Sequence, residues 1–392
     1  MTKKRYLQDF IIEDLQYKMV FVGGPRQVGK TTLARDVGEE KYKNYTYLNW
    51  DNSEDRIAIM KNSFSTERPL IVFDEIHKYR RWKNYIKGQF DVNKEKYNIL
   101  VTGSARLDTY RRGGDSMQGR YHYYRLHPFS LREVLEKKPC LKINEKLDFL
   151  PANKETEKIK NDLLFYGGFP EPFIKKEEKV LRRFHKERVE RLISGDIRDM
   201  ELIRDLSAIQ ILVELLPEKV GSLFSANSLK EDLQITNKTA IEWIDVLERF
   251  YYHFRIFPFA STHIKSLRRQ PKMYLWDWSQ VKNEGARVEN MIASHLLKFV
   301  HLLQDAEGYK AELYFLRDIE MRETDFLVTI DRKPWFAVEV KSADMAISNN
   351  LRYFGKKLKI PFLYQTVSQS GVDKYNGEVR LMSIDKFLSG LV

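Results

Sequence analysis

Short apolar runs punctuate the first third of the chain, spaced so that a helix fits between each pair. Residues 18–22 (KMVFV), 45–50 (YTYLNW), 70–73 (LIVF) and 98–102 (NILVT) have the length and continuity of buried strands. Residues 31–37 follow the first run as a helix, after a glycine-containing loop. Strands alternating with helices predict a parallel α/β sheet, ending near Leu135.

The pattern then changes. Residues 137–162 are polar and charged and read as a linker. A Gly/Pro turn at 165–173 (FYGGFPEPF) leads into a helical run from Glu178 to about Leu216, so residues 163–216 form a helical segment. Residues 228–233, a turn at Thr236 and Asn237, and residues 238–250 have the spacing of a helix-turn-helix, with Asn237 as the expected N-cap. Ile241, Ile244, Leu247 and Phe250 fall at helical spacing and face inward, and residues 251–259 (YYHFRIFPF) supply a wing strand, giving a winged helix over 217–262. From 271 to 392 the order is a run at 273–276, a helix at 286–303, strands at 313–316, 326–330 and 335–340, a helix at 350–358 and a strand at 361–366. The strands at 326–330 and 335–340 flank a turn at 331–334 and read as a hairpin.

Composition adds boundaries to this picture. A chain of 392 residues with 43% hydrophobic and 31% charged residues is that of a globular protein of two or three domains. No apolar run approaches the ~18 residues of a transmembrane helix, and the start of the chain lacks the apolar stretch of a signal peptide, so a cytoplasmic protein with no membrane partner is expected. The single cysteine, Cys140, excludes an internal disulfide and a Cys-rich zinc site. Net charge is 67 − 55 = +12, of which residues 1–140 carry 27 − 18 = +9. An anionic partner, nucleotide phosphates or a nucleic-acid backbone, therefore belongs to the first third.

The candidate chemistry lies there too. Gly24, Pro25, Arg26, Gln27, Val28, Gly29, Lys30 and Thr31 fit G-x-x-x-x-G-K-[ST], followed by Thr32. The glycines let the loop wrap until its amides face phosphates, Lys30 reaches the β- and γ-phosphates, and the Thr31 hydroxyl ligates Mg²⁺. The helix that starts at the loop adds its positive end. Residues 70–75 (LIVFDE) end a strand in two carboxylates: Asp74 for the magnesium and Glu75 to polarise the attacking water. Thr102 or Ser104, at the end of the run 98–104 (NILVTGS), can bond that water or the γ-phosphate. Any of Arg106, Arg111, Arg112 and Arg120 can serve as an arginine finger inserted from a neighbouring subunit, with Arg120 preferred, and a finger in trans implies a homo-oligomer.

GGPRQVGKTTLAR, LIVFDEIHK, ILVTGSARL, QGRYHYYRLHPFSLREVL and YGGFPEP resemble the prokaryotic AAA-type ATPases that carry a C-terminal domain of unknown function, DUF4143. The resemblance runs from Phe21 to about Val340 and implies ATP and Mg²⁺ as ligands, with Gly24 to Thr31, Asp74, Glu75 and the pair Gly119 and Arg120 as the marked ATPase positions. His77 departs from the Gln expected in many relatives and reads as structural. The expected fold is α/β: a P-loop NTPase sheet of the ASCE/AAA type over 1–136, then the helical and winged-helix segment, then a mixed α/β nuclease-like domain.

In that last domain Asp325 opens one strand of the hairpin, while Glu339 and Lys341 share one face of the other. With Glu289 on the preceding helix they form a candidate second metal site and resemble the PD-(D/E)xK nuclease pattern. The acids Glu231, Asp232, Glu242, Asp245 and Glu248 offset the basic residues of the helix-turn-helix and weaken a DNA-reading role for it. Three functions remain open. The preferred one is Mg²⁺-dependent ATP hydrolysis that moves the attached domains, acting on DNA or on another partner. The others are an ATP-gated, metal-dependent DNA nuclease and an ATP-bound assembly protein with little turnover.

Overall fold

The computed structural model describes residues 3–104, 107, 117–197, 205–225, 229, 233–260, 269–341 and 345–392. The chain folds as two compact units, Met1–His127 and Pro128–Val392.

In the first unit, β1 (Met19–Gly23), β2 (Thr46–Asn49), β3 (Leu70–Asp74), β4 (Asn98–Thr102) and β5 (Tyr121–Arg125) form a sheet in the order β2-β3-β4-β1-β5. Every pairing is parallel. All residues of β1 and β3 are buried, which is why both read as unbroken apolar runs. Phe21, Ile71, Phe73, Ile99 and Val101 on one face of the sheet pack with Ile59, Trp82 and Ile86 from the helices Ser53–Lys61 and Trp82–Asn93. The insertion of β4 between β1 and β3 is the ASCE/AAA arrangement. It brings the C-terminal ends of β1, β3 and β4 to one edge, with Val22 and Asp74 both in register with Thr102. The strand β5 was absent from the sequence expectation.

The second unit holds an eight-stranded mixed sheet in the order β12-β13-β11-β10-β9-β8-β6-β7. Its strands are β6 (His253–Pro258), β7 (Lys272–Leu275), β8 (Ala311–Arg317), β9 (Glu323–Ile330), β10 (Lys333–Val340), β11 (Phe362–Val367), β12 (Asp373–Asn376) and β13 (Val379–Ser383). The helix Glu284–Asp305, then β8, β9 and β10, the helix Asn349–Leu358 and β11 follow the order read from the sequence. The β9–β10 hairpin turns on Asp331 and Arg332, at φ 48° and 63°, and β10 already begins at Lys333. Among the described residues no helix is long and apolar enough to cross a membrane.

Four local readings change, the first being Ile241, expected to face inward and found exposed on the helix Asn237–Arg249. Residues 137–162 are not a free linker: the helix Lys154–Tyr166 starts inside them, capped by Asn153. The stretch ahead of that helix is tied down, because Trp335 Nε1 donates to Glu145 O (2.9 Å) and Arg132 Nη1 donates to Asp148 O (2.9 Å) and Ser389 O (2.6 Å). Polar composition hid this, since main-chain carbonyls held by ring and guanidinium donors need no apolar neighbours. The expected wing strand pairs antiparallel with β7 and parallel with β8, so it belongs to the large sheet. The N-cap of the helix Asn237–Arg249 is Thr236, whose hydroxyl accepts from Thr239 N, and Asn237 is the first helical residue. Most of the preceding helix expected at 228–233 lies outside the described residues.

Candidate functional site

The phosphate loop joins β1 to the helix Lys30–Val37. Its turn needs left-handed backbone at Gly24 (φ 138°), Gln27 (φ 60°) and Gly29 (φ 97°). A Cβ at Gly24 would stand 2.5 Å from Leu126 O. Arg5, buried, pins the loop from below: Nη1 donates to Val28 O (2.6 Å) and Nη2 to His127 O (2.5 Å). Nothing in the local sequence announced Arg5. Pro25 and Val28 are buried, Arg26 is half-buried, and Thr32 is exposed one position beyond the motif. Lys30 is buried and folds back over its own loop, its ammonium donating to Gly24 O (3.1 Å) and Pro25 O (2.7 Å).

Three hydroxyls hold the Asp74 carboxylate at the end of β3. Thr31 Oγ1 (2.8 Å) and the Tyr47 phenol (2.6 Å) donate to Oδ2, and Thr102 Oγ1 (2.5 Å) donates to Oδ1. Burial and then Asp74 itself push the Tyr47 phenol up, so it remains a donor. Thr102 is wholly buried and positions Asp74. The hydroxyl of Thr31 and the carboxylate of Asp74 are hard oxygen donors already in contact, a donor set that fits Mg²⁺.

Glu75 is held in the left-handed region (φ 55°), its N–H donating to Thr102 O (2.9 Å). Burial pushes its carboxyl above the usual carboxylate range, opposed by Lys30 and Lys78. Oε2 lies 3.3 Å from Lys78 Nζ and 3.6 Å from His77 Nε2. Ser104 Oγ lies 3.5 Å from the same His77 nitrogen, so His77 stands between Glu75 and Ser104 and contacts both. The fold thus brings Lys30, Thr31, Asp74, Glu75 and Ser104 to one strand edge.

Arg120 is elsewhere. Its carbonyl accepts from Met19 N at the start of β1, and its guanidinium takes both Asp91 oxygens at 2.7 and 3.3 Å. Five residues of strand, about 16 Å at the usual rise, separate that end from the loop. Arg106, Arg111 and Arg112 lie outside the described residues.

In the second unit Glu289, Asp325 and Glu339 converge, but two lysines stand among them. Lys272 Nζ, from β7, lies 2.7 Å from Glu323, 3.4 Å from Glu289 and 3.7 Å from Asp325. Lys341 Nζ pairs with Glu339 Oε1 at 3.0 Å. Tyr274 donates to Glu289 (2.7 Å), and Val340 N donates to Asp325 Oδ2 (2.8 Å). Among the described residues no three His, Cys, Asp or Glu side chains are disposed to hold one metal ion. The D…E-x-K spacing located the carboxylates but not Lys272, which arrives from an earlier strand.

Residues 16–135 match the AAA domain family AAA_14, and residues 284–387 match DUF4143, a domain of unknown function. Residues 157–282 match a separate domain of unknown function, DUF8612. The uncharacterized protein MJ1544 of Methanocaldococcus jannaschii is 22% identical over 373 residues, 90% of this chain and 81% of its own length. The uncharacterized protein Rv2008c of Mycobacterium tuberculosis is 22% identical over 346 residues, 85% of this chain and 73% of its own. The Thermotoga maritima RuvB Holliday junction branch migration motor aligns over 63% of this chain and 87% of that one, at 16% identity and a TM-score of 0.30. A score of that size establishes no shared mechanism. The chain therefore carries an AAA-type P-loop domain followed by a C-terminal DUF4143 domain.

Proposed function

We propose that the chain binds ATP with Mg²⁺ at residues 24–31 and hydrolyses it, using the cycle to move its attached domains. The carrying observation is the 2.8 Å bond from Thr31 Oγ1 to Asp74 Oδ2, which joins the start of the loop helix to the end of β3 beside a buried lysine and a half-buried second carboxylate. Thr31 and Asp74 would hold Mg²⁺, which when bound neutralises charge on the triphosphate. Lys30 trades its loop carbonyls for phosphate oxygens as nucleotide enters. Burial leaves the Glu75 carboxylate poorly solvated and thus a stronger base toward the attacking water. His77 and Lys78 hold Glu75 from one side, and Ser104 lies in reach of the same region.

For Arg120 to act as a finger it must act on a neighbouring copy, since it occupies the far strand ends of its own sheet. The +9 charge of residues 1–140 supports DNA as a partner, read as a rise in ATP turnover when DNA is added.

The test is nucleotide binding and steady-state hydrolysis by the full chain. Lys30→Ala should lose ATP binding. Glu75→Gln should keep binding and lose turnover by about 10²-fold or more. An unmutated chain with no affinity for Mg-ATP, or a Glu75→Gln variant that turns over normally, would overturn the assignment.

A further inference from the structure

We infer that Lys272 is a built-in counter-cation that fills the carboxylate cluster of the DUF4143 domain and keeps divalent metal out of it. The side chain is only 5% exposed, deep enough that its charge must be met by partners inside the protein. It is met by Glu289, Glu323 and Asp325, carboxylates from the helix Glu284–Asp305 and from β9. Glu289 is further engaged by Tyr274, and Glu323 by Arg317 at 2.7 Å.

The remaining acid, Glu339, is held through Oε1 by Lys341. The four carboxylates are thus divided between two ammonium groups, and Lys272 takes Glu289 and Asp325, the two that a divalent ion would need to share with Glu339. A hard divalent cation competes for the same oxygens and would enter beside a fixed positive charge, which opposes it. Lys272 is fastened in place from the main chain too: it pairs with Ile256 on β6, and Leu223 bridges to it on its other side. The backbone of Lys272 is therefore part of the sheet, which fixes the point from which its side chain enters the cluster. This inference is independent of the proposed ATPase function.

Mn²⁺ is the probe, titrated into the full chain without nucleotide so that no phosphate contributes, and followed by calorimetry and by the Mn²⁺ electron paramagnetic resonance signal. The unmutated chain should show no Mn²⁺ binding that Asp325→Asn removes. Lys272→Met should gain about one site, at least about tenfold tighter than any binding in the unmutated chain, and Asp325→Asn in that background should abolish it. Asp325-dependent binding in the unmutated chain would overturn the inference, as would a folded Lys272→Met variant that takes no Mn²⁺. Should Lys272→Met fail to fold in chelator, refolding with Mn²⁺ decides: recovery that Asp325→Asn removes supports the counter-cation, and no recovery overturns it.

Discussion

At Asp74 a single carboxylate accepts from Thr31, Tyr47 and Thr102, so its orientation is settled before any ligand arrives. The opposite condition holds at the lysine-filled cluster, where carboxyls are crowded. Burial first, and then repulsion from Asp325, push Glu289 and Glu339 up to about 7 from an ordinary 4.5. Lys272 and Tyr274 oppose the rise at Glu289, and Lys341 and Ser348 oppose it at Glu339. Between pH 4.5 and 7 the folded protein keeps protons that the unfolded chain has released. Their contribution to stability is therefore whole below that window and is lost as pH rises through it, at ~1.4 kcal/mol per proton and pH unit. Urea midpoints of the second unit should fall across the window, and Glu339→Gln should flatten the fall; an equal slope in the variant would refute the assignment. Lys30, Thr31, Asp74 and Glu75 were legible in the sequence because adjacent residues and one strand end place them. Arg5, Tyr47 and Lys272 were not, because each reaches its partner from a distant segment and its own neighbours carry no motif.

Among the elements, β1 is the most constrained. It lies between β4 and β5, and a Cβ on Gly23 would stand 1.6 Å from the Tyr123 hydroxyl and 2.6 Å from the ring carbon that bears it. Gly23→Ala must displace the Tyr123 ring from its place against the strand that delivers the phosphate loop. The expected cost is about 1–3 kcal/mol, read as a lower thermal midpoint of the first unit with weakened nucleotide binding. Gly88→Ala is the control: it sits exposed in the helix Trp82–Asn93, where a Cβ would meet no atom of another described segment within 4 Å, and should stabilise slightly. If both variants melt alike, the β1–β5 packing is not as described. The strand β5 itself escaped the sequence reading because YHYYR is no apolar run. As an edge strand it is only partly buried, and its polar atoms find a partner in Asp14, 2.5 Å from both Tyr124 Oη and His122 Nδ1. The runs at β1, β3 and β4 were legible for the converse reason: strands covered on both faces leave little room for polar residues.

For the whole molecule, the chain forms two compact units. The first has its own core on one face of a parallel sheet, around Phe21, Phe73 and Val101. The second has another, around Leu327, Ala337, Leu351 and Leu363, and the stretch read as a linker is fastened to it through Trp335, Ser389 and Asp385. Separate cores predict separate melting, and every proposed nucleotide ligand lies in the first unit. Calorimetry should therefore resolve two transitions, of which Mg-ATP raises one. Ligand at about 100 times its dissociation constant adds about 2.7 kcal/mol to the unit that binds it, and Lys30→Ala should cancel that gain while leaving the other transition where it was. A single transition, or a nucleotide shift in both, would mean that the energy of binding spreads through the chain as one cooperative body. In that case the second unit would respond to nucleotide through its stability.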